Sequence, residues 1–110
     1  MAEDGEIRGT LQAILKRLLD GYTPSKVIFF GSYANGMPQR DSDIDLLIVK
    51  ETKERFIDRW VTVQKILTGV HGTYPVDTLV LTEEIKGRLA AGDRFIQDII
   101  DKGEVLYGGA

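Results

Sequence analysis

Residues 29–49 read FFGSYANGMPQRDSDIDLLIV. An apolar run breaks at Gly31-Ser32, a short polar loop follows, and Asp41, Asp43 and Asp45 stand at alternate positions as a second apolar run begins. Like charges that close repel one another, and burying even one unpaired carboxylate is costly. A chain that places acids at the mouth of a strand it intends to bury needs something positive between them.

The flanks of this stretch read as strands. Lys26–Phe30 (KVIFF) and Asp43–Val49 are rich in β-branched, aliphatic and aromatic residues. Upstream, Ile7, Leu11, Ile14, Leu15, Leu18 and Leu19 recur at helical spacing, and Asp20-Gly21 offers a left-handed cap. Downstream, Phe56, Ile57, Trp60, Val61, Gln64 and Leu67 mark a second helix, with Thr52 as its N-cap and Gly69 beyond its end. Tyr74–Leu81 (YPVDTLVL) reads as a third strand, after which Thr82-Glu83-Glu84 opens a short helix with a capping hydroxyl and an acidic first turn. Gly92-Asp93 restarts the chain into a helix carrying Phe95, Ile96, Ile99 and Ile100, and Glu104–Tyr107 adds a final strand. The expected fold is α/β (α+β), one domain over residues 1–110 with a small mixed sheet of three to four strands flanked by helices.

Bulk properties exclude several classes. The chain has 110 residues, 43% of them hydrophobic, which suits one core. Its 14 basic and 17 acidic side chains leave a formal charge of −3, which argues against direct nucleic-acid binding as the main task. With no cysteine, disulfides and thiolate-held metals are ruled out. No apolar run approaches the ~20 residues of a membrane span. The acidic, polar start MAEDGEIRG is unlike a secretory signal, so a cytoplasmic protein is expected.

Strand phase then places the acids. Side chains two apart on a strand share a face and lie about 7 Å apart. Asp43 and Asp45 therefore point the same way, followed by Leu47 and Val49, while Ile44, Leu46 and Ile48 fill the other face. Asp77, Leu79 and Leu81 repeat that pattern on the third strand. The three carboxylates converge if strands two and three run parallel, with the second helix as their crossover. Strand one must then run antiparallel to strand two for Gly31-Ser32 to reach the same end.

Three converging carboxylates suit a hard divalent cation such as Mg²⁺, which takes oxygen ligands and shares substrate phosphates. Two such ions about 4 Å apart can activate an attacking oxygen and stabilise a leaving one. Gly31-Ser32 adds exposed backbone N–H groups and a hydroxyl for phosphate. Competing motifs fail: an EF-type calcium loop starting at Asp41 would have Leu46 in place of its Gly and Thr52 in place of its final Glu. A Walker A loop starting at Gly31 would need Lys and Ser/Thr where Met37-Pro38 stand.

Gly31-Ser32, ten residues, Asp43-Ile44-Asp45 and a later Val76-Asp77 on a strand together resemble the minimal nucleotidyltransferases of the DNA polymerase β superfamily. The resemblance spans nearly the whole chain. It implies that Asp43 and Asp45 bind two Mg²⁺ ions. Asp77 would join one metal and help deprotonate the acceptor hydroxyl, while Gly31 and Ser32 would hold the triphosphate of the incoming nucleotide. It also implies a HEPN-family toxin as partner, neutralised by transfer of AMP from ATP to a tyrosine hydroxyl. Members commonly carry a basic residue in the Gly-Ser loop where this chain has Tyr33 and Asn35, which leaves Arg40 as that loop's cation.

Two other readings stay open: a non-catalytic antitoxin acting by contact, and transfer to a small acceptor such as an aminoglycoside, for which a homodimer could complete the pocket. The blander assignments are Asp41 and Ser42 as turn residues, Trp60 as core and His71 as structural. Arg59 and Lys65 read as solvent-facing charges, and Tyr33 as a loop residue beside the nucleotide.

Overall fold

The computed structural model of the protein describes residues 2–38 and 42–108. Its elements in chain order are α1 (Ala2–Gly21), β1 (Lys26–Phe30), β2 (Ile44–Val49), α2 (Phe56–Ile66), β3 (Val76–Leu81), α3 (Glu84–Ala90), α4 (Arg94–Lys102) and β4 (Glu104–Tyr107). The strands form one sheet in the order β3-β2-β1-β4. β2 and β3 are parallel, whereas β1 is antiparallel to both β2 and β4, so the sheet is mixed as the strand phase requires.

Alternation along the strands divides the core in two. Val27, Phe29, Ile44, Leu46 and Ile48 join Ile14 and Leu18 of α1 and Val63 of α2 on one face. Ile28, Leu47, Val49 and Leu81 join Ile85 of α3 and Ile96 and Ile99 of α4 on the other. The sheet is thus sandwiched between helix pairs, and central β2 is apolar on both faces as a doubly covered strand must be.

Local expectations change at several element ends: β2 starts at Ile44 rather than Asp43, and α3 has Glu83 at its N-cap with no side-chain cap bond. Gly21 is the last residue of α1 rather than its left-handed cap, and Thr23 adopts that conformation instead (φ 49°), with the Tyr22 and Thr23 amides both donating to the Leu18 carbonyl. The N-cap of α2 is Arg55, which offers no side-chain bond, while the Thr52 hydroxyl accepts from the Glu54 amide one turn earlier. β3 begins at Val76 rather than Tyr74, and the Pro75 carbonyl just before it accepts from the Ile44 amide at the strand entrance.

The largest departure is the orientation of α2. Arg59, Val63 and Leu67 are buried, whereas Phe56, Ile57, Trp60 and Val61 are 37–57% exposed. The helix carries two apolar stripes, and the sheet takes the one that runs through 59, 63, 66 and 67. Trp60 is therefore not core and Arg59 is not a solvated charge. The Arg59 guanidinium donates to the carbonyls of Glu54 and Val80 and to the Glu84 carboxylate, tying α2 to the end of β3 and the start of α3. Burial pushes the Glu84 carboxyl up, but hydrogen bonds from Arg59 and Thr82 and the Arg59 charge outweigh it, and the net pKa is lowered. Lys65 is exposed, as its position in the pattern indicates.

Candidate active site

The site forms at the end of the sheet where β1 finishes and β2 and β3 begin. Parallel pairing sets Asp45 directly beside Asp77, and Asp43 stands immediately before β2 on the same side as Asp45. Each of these three residues has a carboxylate oxygen within 4.8 Å of the other two. Burial, followed by the charges of Asp77 and Asp43, pushes the Asp45 carboxyl up to about 6. That shift is the electrostatic signature of acids gathered without a counter-charge. Clustered oxygen donors of this kind fit Mg²⁺ or another hard divalent cation, which would relieve the repulsion.

Antiparallel pairing of β1 with β2 sets Phe30 opposite Asp45, so the next residue, Gly31, falls against the acids. Gly31 has φ +87°, and a Cβ there would collide with the Asp45 carboxylate, which is why the position is glycine. The loop then winds into a tight turn: the Asn35 amide donates to the Gly31 carbonyl at 3.0 Å and the Met37 amide to the Ser32 carbonyl at 3.0 Å. The Ser32 hydroxyl bonds the Ser42 hydroxyl at 2.8 Å, closing the loop on the approach to β2. Tyr33 faces the first core, edge-to-face with Tyr74 at 5.8 Å, so it anchors the loop rather than facing the acids. His71 contacts the Tyr74 carbonyl through Nδ1 at 2.8 Å, in keeping with a structural role.

Two cavities open beside the acids. One of about 380 Å³ is lined by Asp45, Asp77, Thr78, Leu79, Phe30 and Phe95. Another of about 230 Å³ lies beside Gly31 and Asn35 and is walled by α4 through Phe95 and Lys102. The rings of Phe30 and Phe95 meet edge-on at 6.2 Å and border both cavities.

Comparison with known proteins identifies the family. The family model described as "Polymerase beta, Nucleotidyltransferase" matches residues 12–109. The chain belongs to this nucleotidyltransferase family. It is 32% identical over 82 residues to a protein of Methanocaldococcus jannaschii named as a protein adenylyltransferase, covering 74% of this chain and 77% of the relative. It is 29% identical over 96 residues to the protein adenylyltransferase MntA of Shewanella oneidensis, covering 86% of this chain and 63% of MntA. Among solved structures, a toxin–antitoxin with AMP-PNP superposes with a TM-score of 0.65 at 26% identity, over 89% of this chain and 73% of the other.

Within this nucleotidyltransferase domain, all five residues selected from the sequence meet at one place: Asp43, Asp45 and Asp77 by carboxylate geometry, Gly31 by contact, and Ser32 through the loop. Arg40 and Asp41 lie outside the described residues. Sequence reasoning missed the wall supplied by α4. Phe95 belongs to the apolar pattern of that helix, yet it is 55% exposed beside the acids. The signal lay in the final strand: β4 pairs with β1, which returns the end of α4 to the neighbourhood of Gly31.

Proposed function

We propose that this chain is a Mg²⁺-dependent nucleotidyltransferase that moves AMP from ATP to a tyrosine hydroxyl of a HEPN-family partner, and so serves as an antitoxin. The observation that carries this reading is the convergence of Asp43, Asp45 and Asp77 beside the Gly31-Ser32 turn. The named adenylyltransferases among its relatives and the toxin–antitoxin structure with AMP-PNP, an ATP analogue, support the donor and the partner class.

In this mechanism Asp43 and Asp45 are the residues that would hold two Mg²⁺ ions, with Asp77 joining one of them. Bound Mg²⁺ supplies charge neutralisation for the triphosphate and acidifies the acceptor hydroxyl. The backbone amides of the Gly31-Ser32 turn and the Ser32 hydroxyl orient the β- and γ-phosphates. Asp77 takes the proton of the acceptor hydroxyl, whose oxygen attacks the α-phosphorus. The bond to the bridging oxygen breaks and pyrophosphate leaves. Holding donor and acceptor in line is the main contribution that the fold makes to the rate.

Incubation with α-labelled ATP, Mg²⁺ and a HEPN-family partner protein tests the reading. Label is expected on the partner, and Asp43→Ala should abolish it. Absence of transfer by the wild type would refute the enzymatic reading. If the double variant Asp43→Asn/Asp45→Asn still neutralised the partner, neutralisation would be by contact instead.

A further inference from the structure

The described residues of the Gly-Ser loop, 31–38, include no lysine or arginine. A triphosphate drawn against Gly31 meets three carboxylates, and Arg40, the cation of that loop, lies outside the described residues. The fold brings a cation there from the far end of the chain. β4 pairs antiparallel with β1, and Phe29 stands opposite Glu104. Only Gly103 separates Glu104 from the end of α4, so this pairing delivers Lys102, the last residue of that helix, to the end of β1 near Gly31. The two residues indeed line the same cavity of about 230 Å³, together with Asn35.

The backbone under Lys102 is fixed. A Cβ on Gly103 would collide with the Ile99 carbonyl and the Ile28 side chain, so the end of α4 is seated directly on β1. Lys102 itself is exposed and forms no ion pair among the described residues. Asp98, one helical turn earlier, lines the cavity too, and the lysine is therefore what makes the mouth hospitable to an anion.

We infer that Lys102 binds the terminal phosphates of the nucleoside triphosphate donor. This rests on the nucleotidyl-transfer reading above. The ordinary alternative is that Lys102, in the last turn of α4, merely complements the helix C-terminus. That role would affect stability and leave ligand discrimination untouched.

Calorimetric titration of the full chain with ATP, inorganic tripolyphosphate and AMP, each with Mg²⁺, separates the two. Lys102→Gln should weaken ATP and tripolyphosphate by about tenfold, as loss of a charge-assisted contact does, and leave AMP affinity unchanged. Lys102→Arg should restore most of the loss, and Lys65→Gln, on exposed α2, should change nothing. Equal ATP affinity in wild type and Lys102→Gln would overturn the inference while leaving nucleotidyl transfer intact, as would equal weakening of ATP and AMP. Failure of the wild type to bind any triphosphate would overturn both.

Discussion

At the residue scale the site is a compromise between stability and chemistry. Asp45 is half-buried beside two other acids, and its carboxyl is pushed up to about 6 by burial and by Asp77 and Asp43. Asp45→Asn removes the charge and keeps the shape. It should therefore raise the melting temperature of the metal-free protein by a few degrees, on the order of 0.5 kcal/mol after discounting for solvent screening. The same variant should lose transfer. Scanning calorimetry beside the labelling assay checks both; a lower melting temperature would mean that the carboxylate is held by contacts rather than strained by repulsion. Gly31 is the opposite case. Gly31→Ala adds a left-handed backbone penalty to a collision with Asp45, and should cost about 1–3 kcal/mol in urea unfolding. Both residues were legible from sequence, because an Asp-x-Asp spacing on a strand and a Gly-Ser at a strand end are local statements.

At the scale of elements, strands and helices differed in how far they could be read. Every strand was located, because period-two alternation specifies both the strand and its faces, and β2 and β3 kept the phase assigned to them. The helix α2 stands where its apolar spacing indicates and Leu67 of that set is core, but Phe56, Ile57, Trp60 and Val61 are not. Phe56, Ile57, Trp60 and Val61 have the hydrophobicity, yet the sheet receives Val63 and Leu67 with Arg59 among them. Periodicity can show that a helix has an apolar side. It cannot choose between two, because the choice depends on which stripe fits the surface left open by α1. The contrast is measurable: Val63→Ala should destabilise by roughly 2 kcal/mol, whereas Trp60→Ser should stay within about 0.5 kcal/mol. Equal costs in equilibrium unfolding would return Trp60 to the core.

At the scale of the whole molecule, Tyr22 reports whether α1 remains docked. Its ring lies in the first core, and its hydroxyl reaches Glu54 from the segment before α2 at 3.4 Å. Burial, with the charge and hydrogen bond of Glu54 adding, pushes its phenol from 10.0 up to about 12. A raised pKa means that the folded state favours the protonated phenol, so this contribution is complete below pH 10.0 and is lost as the pH rises through about 12. Alkaline titration of tyrosinate absorbance should show one late step that Tyr22→Phe removes. If no such step appears, α1 is not packed as described. Among the described residues no helix is long and apolar enough to cross a membrane. The sequence alone determined the strands and their phase, which follow from spacing within a few residues, whereas the convergence of Asp43, Asp45 and Asp77 was conditional on the parallel β2–β3 pairing that the structure supplies. Only the tertiary structure decided that Arg59 is buried, that α2 turns Trp60 outward, and that α4 brings Phe95 and Lys102 to the Gly31 loop. Those are outcomes of long-range pairing and competition for space on the sheet, which no local pattern encodes.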